Sequence, residues 1–293
     1  MLSVTIIGPG RVGGAMALAL PASKYKIEQF VVGDGRSLAA VLSTSFAGSA
    51  VSEVSGLEII SSDIVLVTVP DSEIASVAAA ISTRINNPPV VLHTSGALSS
   101  DVLSSLSEIG CSVGSIHPLA SISTAESGAG RLNGAYFCIE GNPIAVSTAD
   151  RVAKDLGGIP FTIDTATKAL YHASAVIACG HFVALFDTAA DLMSRVVGER
   201  EKAVAILLPL VGSTFANLRD QDTASALTGT FARTDVGTFA SHVEALQDIG
   251  DQNIVDIYLD LGLRSLKLAL ENGADPDRAA EIRRRISLAK GNG

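Results

Sequence analysis

Residues 4–20, VTIIGPGRVGGAMALAL, constrain the fold more than any other stretch. A short β-branched run leads into Gly8-x-Gly10-x-x-Gly13, and an alanine-rich run follows. With 27 glycines in 293 residues, the spacing alone would say little. The strand before it and the helix after it give it meaning. Glycines at these three places permit a tight turn, close approach of a pyrophosphate, and close helix–strand packing. The N-terminus of the helix presents free N–H groups to an anion. The stretch predicts the first strand–helix turn of a dinucleotide-binding unit, with Gly8, Gly10, Arg11, Val12 and Gly13 around the cofactor.

The residues that follow keep the same rhythm. Strand-like runs fall at 4–7, 29–32, 64–69, 90–93, 112–116, 135–139 and 161–163. Segments of helical length at 14–20, 37–42, 72–82 and 99–109 separate several of them. Such alternation predicts an α/β unit with a doubly wound parallel sheet. Beyond residue 164 β-branched runs are scarce, and helices are expected at 167–196, 199–217, 240–246, 254–271 and 276–290. The chain therefore divides into a dinucleotide-binding domain, 1–163, and an all-α substrate and dimerisation domain, 164–293. Pro209 is expected to kink or end the second of these helices. Asp275 and Pro276 mark the start of the last one.

Composition narrows the partners. A net charge of −9 repels phosphate backbones, so nucleic acid is not expected. Cys111, Cys138 and Cys179 are too far apart for a C-x-x-C metal or redox pair, so no metal is expected and reduced thiols in the cytoplasm are. The first residues enter a strand with no basic region, apolar signal segment and cleavage site. Residues 169–186 lack Lys, Arg, Asp and Glu but contain His172 and His181. A buried core helix is expected there, not a membrane span.

Chemistry-bearing residues gather at strand ends, where open α/β sheets bind ligands. The second strand ends in VVGDGRS. Asp34 would favour NAD, whereas Arg36 and Ser37 would hold the 2′-phosphate of NADP, which is the preferred reading. Val69, Pro70 and Asp71 end the next long strand; Asp71 caps the following helix or lies by the nicotinamide ribose, with capping preferred. His93, Thr94, Ser95 and Gly96 follow a further strand. His117 and Pro118 follow another. His93 is read as satisfied within its turn. His117 is read as a site residue that can orient or protonate a substrate. Lys168 and His172 share one helical face, directed at a pocket or an interface. On the residues alone, a surface Lys at a helix start and a core His is the preferred reading; the alternative is that Lys168 polarises a carbonyl or donates a proton. Arg233 either clamps a carboxylate, pairs with Asp235 or caps a helix end.

The motifs GPGRVG, TVPDSEI, LHTSGAL, GSIHPLAS, KALYHASAVIA, LLPLVGSTFANL and ALTGTFARTDVGTFASHVEAL occur in that order. Together they resemble a bacterial Rossmann-like oxidoreductase family whose C-terminal half is a domain of unknown function. That family is similar to pyrroline-5-carboxylate reductase, 6-phosphogluconate dehydrogenase and ketopantoate reductase, and some members are regarded as alternative ketopantoate reductases. The resemblance implies a Rossmann domain, a helical domain of the 6-phosphogluconate dehydrogenase-like type, NADP as cofactor with NAD less favoured, and a homodimer through the helical domain. It implies hydride transfer to a C=O of a small carboxylic acid bound between the domains. A cyclic imine, or a non-catalytic NADP-binding role, is the alternative. Lys168, with His172, His117 and Ser95 assisting, would serve catalysis; Ser95, Gly96 and Arg233 would hold substrate. In related β-hydroxyacid dehydrogenases a Lys is followed four residues later by Asn. Here Lys168 matches and His172 does not. Gly180 stands where the family often has Asn.

Overall fold

The computed structural model describes residues 1–33, 46, 48–54, 56–57 and 59–291. Asp34, Arg36 and Ser37 lie outside the described residues.

Eight strands form one sheet: β1 (Leu2–Ile7), β2 (Tyr25–Val32), β3 (Ala50–Glu53), β4 (Ile64–Val67), β5 (Val90–His93), β6 (Ser112–Pro118), β7 (Tyr136–Gly141) and β8 (Ile159–Thr162). Their spatial order is β3-β2-β1-β4-β5-β6-β7-β8. The order reverses beside β1, which has β2 on one side and β4 on the other. That reversal opens a crevice at the carboxyl ends of β1 and β4. The sheet is parallel except between β6 and β7, which run antiparallel. The doubly wound parallel sheet expected from the alternation is present, and β7 and β8 join it antiparallel to the other strands. β3 gave no signal in the sequence, because AVSE is short, half polar and partly exposed.

Helices of at least eight residues are numbered in chain order. α1 (Arg11–Ala19), α2 (Asp71–Ser82), α3 (Ala125–Leu132) and α4 (Pro143–Asp155) connect the strands. Alternate strand residues face opposite sides of the sheet. Val4, Ile6, Phe30, Leu66, Leu92 and Ile116 join one apolar cluster. Ile7, Val31, Val65, Val67, Val91 and Val113 join the other. Burial on both faces explains why the central strands read as continuous apolar runs.

The compact units are Met1–Phe182 and Val183–Gly293. The boundary expected at 163 coincides with the end of β8. The first unit continues past it, and the first turn of α5 (Lys168–Val176) meets the sheet, where Lys168 is buried. The helical unit holds most of α6 (Phe182–Val197), then α7 (Arg200–Asp220), α8 (Val236–Gln247), α9 (Gln252–Glu271) and α10 (Pro276–Ala289). Its core gathers Phe239, Val255, Leu259, Leu266, Ala279, Ile282 and Ile286. Asp275 caps α10 by accepting from the backbone N–H of Asp277 and Arg278, and Pro276 occupies the first turn. Pro209 lies inside α7 without ending it.

The segment at 169–186 is not a buried core helix. Leu170, Val176, Ile177, Val183 and Leu185 are exposed, as are Ile206, Leu208, Leu210, Phe215 and Leu218 of α7. These side chains keep between 38% and 74% of their surface exposed. Thr165–Val197 and Arg200–Asp220 are each long and apolar enough to cross a membrane by length and composition. Charge interrupts this apolar surface, where Arg200 pairs with Asp187 and Asp191 at the α6–α7 turn.

Candidate functional site

The three glycines of the first turn have different physical reasons. Gly8 has φ +74°, and a Cβ there would lie 2.5 Å from Val69 Cγ1 and 3.0 Å from Val69 N. A Cβ on Gly13 would collide with Thr68 Oγ1. That hydroxyl donates to Gly8 O at 2.6 Å, tying the turn to the end of β4. Gly8 and Gly13 are therefore demanded by the protein's own packing. A Cβ on Gly10 would meet nothing closer than Gly8 O at 3.8 Å. Gly10 leaves a cradle empty that any side chain would fill. It borders a groove of about 570 Å³ lined by Gly8, Gly10, Arg11, Val12, Gly33, Val69, Pro70, Asp71, Thr94 and Ser95. α1 starts at Arg11 with no side-chain cap and no acidic residue in its first turn. Its N–H groups and positive dipole end thus remain free for an anion. These residues fit the pyrophosphate of a dinucleotide.

Asp71 is the first residue of α2, and the helix has no side-chain cap bond. The expectation that its carboxylate caps the helix is corrected. Asp71 lines the groove instead.

A second cavity of about 200 Å³ shares Arg11, Val12 and Thr94 with the groove and adds His117, Pro118, Ala120 and Ile122. His117 Nδ1 lies 2.6 Å from Tyr171 Oη on α5. The rings of His117 and His172 are 6.1 Å apart. Burial, then the nearby Lys168 charge, lowers the His117 pKa to about 4 and keeps it neutral at physiological pH. Gly96 packs on this ring: a Cβ there would lie 2.8 Å from Nε2. The Gly96→Ala variant should fold and bind dinucleotide, yet lose about tenfold or more in turnover as the ring is displaced. An unchanged rate, with His117 unmoved in a crystal structure of the variant, would reject this.

Ser95 and His93 form the neighbouring turn. Ser95 Oγ accepts from Ala97 N at 3.1 Å and Leu98 N at 3.0 Å. His93 is 0% exposed, and its Nδ1 accepts from Ser95 N at 3.2 Å. Among the described residues, its Nε2 makes no hydrogen bond of ordinary geometry. The expectation of a satisfied turn histidine holds for one nitrogen and fails for the other. Burial, with Lys168 next in weight, lowers its pKa to about 4.

Lys168 is 2% exposed and lines neither cavity. It was read as facing a pocket or an interface, and it faces the sheet. Its ammonium donates to Ser115 Oγ at 2.6 Å and lies 3.9 Å from Glu140 Oε1. Glu140, 1% exposed, also accepts from Ser100 N at 3.0 Å, Ser100 Oγ at 2.8 Å and Thr165 Oγ1 at 3.0 Å. Burial alone would raise the Glu140 carboxyl. Hydrogen bonds from Ser115 and Ser100, with the Lys168 charge, outweigh it and hold the pKa below the ordinary range. Burial pushes the Lys168 pKa down. Glu140, Ser115 and Tyr171 escaped the sequence reading. The one available signal was a lone acid in the otherwise apolar strand YFCIEG.

Gly180 lies in a π-helical turn, Ile177–His181. A Cβ there would meet only Val176 Cγ1 at 3.9 Å, so the backbone leaves room for a side chain. In the helical unit, Arg233 is exposed at the end of a short helix, next to buried Thr234 with φ 46°. A cavity of about 410 Å³ in that unit is apolar apart from a few groups such as the His242–Tyr258 pair, and Arg233 does not line it.

Two family descriptions match the chain: a Rossmann-like domain over residues 1–118 and a domain of unknown function, DUF2520, over 135–265. The chain thus matches a Rossmann-like domain in its first part and DUF2520 in its second. The glycine groove falls in the Rossmann-like match, and the Glu140–Lys168 pair in the DUF2520 match. Among curated proteins, a search found no significant match. Several solved structures share the fold. Protein TM1727 from Thermotoga maritima is 22% identical, with a TM-score of 0.70 over 90% of this chain and 98% of that one. BF3122 from Bacteroides fragilis, named provisionally as an NADP oxidoreductase, is 19% identical, with a TM-score of 0.70 over 91% and 98%. Plasmodium falciparum pyrroline carboxylate reductase with NADP bound is 13% identical, with a TM-score of 0.57 over 92% and 98%.

Proposed function

We propose that this protein is an NADP(H)-dependent oxidoreductase that reduces the C=O of a small keto acid. Ketopantoate is the first acid to test. The observation that carries this reading is the Gly10 cradle, whose groove shares Arg11, Val12 and Thr94 with the pocket of His117. The bound dinucleotide would supply a hydride to the carbonyl carbon. The carbonyl π pair then passes to oxygen, which must receive a proton. With Tyr171 donating to Nδ1, neutral His117 presents Nε2–H to that oxygen. The proton lost at Nε2 is replaced at Nδ1 from Tyr171; a solvent proton taken up at Nε2, with return of the Nδ1 proton to Tyr171, restores the starting pair. His172 stands beside this pair. Arg11 borders both cavities and forms no ion pair among the described residues, so it can hold an anionic group. Arg36 and Ser37 favour NADP over NAD. The free thiols Cys111, Cys138 and Cys179 suit a reducing compartment such as the cytoplasm. The exposed apolar side chains of α6 and α7 favour a homodimer through the helical unit.

The test is oxidation of NADPH, followed by absorbance, with ketopantoate, other keto acids and cyclic imines, and with NADH for comparison. Gly10→Val serves as control. Turnover that prefers NADPH and a keto acid, and vanishes in the variant while the fold persists, supports the reading. Turnover on imines alone would move the substrate class toward that of the pyrroline carboxylate reductase neighbour. NADPH binding without any turnover would favour a nucleotide-sensing role.

A further inference from the structure

Glu140 is the buried charge that the reaction above does not use. A carboxylate inside a sheet is costly unless it is paired and hydrogen-bonded, and an apolar residue there would carry no such cost. We propose that Glu140 is a positioning residue: together with Ser115 it anchors the ammonium of Lys168 behind the His117–Tyr171 pair, so that a fixed positive charge acts on the reaction pocket through His117 without touching substrate.

Strand register and helix spacing build this arrangement. His93, Ser115 and Glu140 are direct partners across β5, β6 and β7 and so form one polar row. Ser115 and His117 are two apart on β6 and share its face. His117 and Cys138 form the next row. α5 lies over both rows, with Lys168 and Tyr171 three apart on one helical face. Lys168 Nζ lies 5.9 Å from the centre of the Tyr171 ring, and the Tyr171 hydroxyl meets His117. The groups that face Lys168 are His93 of β5, Ser115 and His117 of β6, Cys138 and Glu140 of β7, and Tyr171 of its own helix, with Asp71 of α2 acting through its charge. A cation held in this way disfavours a second cation on His117. It also favours negative charge developing on the substrate oxygen in front of that ring.

This inference rests on the proposed function for its kinetic consequence only, and a readout without turnover tests the anchor itself. In the full-length protein, Lys168→Met, Glu140→Gln and the double variant are compared with wild type. NMR titration of His117 is expected to show it neutral down to about pH 4 in wild type and to move toward the ordinary histidine value of 6.5 in Lys168→Met, in the double variant and in Glu140→Gln, where the ammonium loses its anchor. An unchanged His117 titration in Lys168→Met or in Glu140→Gln overturns the proposal, whether or not any substrate is turned over. Where turnover is measurable, Glu140→Gln should lower kcat by about tenfold or more, leave KM and NADPH affinity within about twofold, and bring the fall of kcat at high pH to lower pH. The double variant removes both charges at nearly constant volume and relieves any misfolding caused by one unpaired charge. If it folds and turns over at the wild-type rate, the pair is structural only and the proposal is wrong.

Discussion

Replacing Lys168 by alanine is expected to destabilise the sheet unit by about 3–5 kcal/mol and to lower turnover by about 10² or more. The stability loss follows from what the substitution leaves behind. Glu140 stays 1% exposed, loses the cation 3.9 Å away, and keeps only its serine and threonine donors. Removing one partner of a buried pair exposes the full desolvation cost of the other. Truncation also opens space beside Ser115. Urea unfolding of wild type and variant measures the first effect, and single-turnover kinetics on the folded fraction the second. A stability change below about 1 kcal/mol would mean that the hydroxyl donors alone carry Glu140, or that it is protonated in the fold.

Acid should weaken the same unit well before its carboxylates titrate. His93 has its pKa lowered from 6.5 to about 4. Between those values the unfolded chain binds a proton that the folded chain refuses. Stability is therefore fully present above about pH 6.5 and falls as pH drops toward 4, by about 3 kcal/mol for this one side chain. His117 acts in the same direction, since its pKa is also lowered. Glu140, held below its ordinary range, adds a further loss only at lower pH. Urea midpoints at pH 7 and pH 4.5 should differ clearly for wild type and much less for His93→Gln. Equal acid sensitivity in the two proteins would assign the effect to another group.

The glycine groove was legible because its signal is local. Gly8, Gly10 and Gly13 sit within one turn, and the strand and helix beside them are short-range patterns. The role of each glycine was not legible, since it depends on Val69 and Thr68, sixty residues away in sequence. His117 is a candidate from its place at a strand end, and it lines a cavity that shares residues with the groove. Asp71 was read as a cap from its position before a helix. Such a reading cannot see that the helix starts one residue earlier and leaves the carboxylate in the groove. Lys168 stands out in the sequence for its chemistry, and the structure buries it against Ser115 and Glu140 instead of in a pocket. Helical spacing says which residues share a face, not what that face meets.

Sequence by itself determined the alternation of strands and helices, the first βα turn, the helix start at Asp275 and Pro276, and the change to helices after β8. These follow from backbone preferences and apolar periodicity over a few residues. Only the tertiary structure decided the antiparallel entry of β7, the pairing of short β3, the Glu140–Ser115–Lys168 cluster and the exposure of α6 and α7. Ser115 and Lys168 are 53 residues apart, and their contact exists only once the sheet has ordered β6 beside β7 and laid α5 across both. Strand register places the side chains in such a cluster, and register is a property of paired strands, not of any one of them.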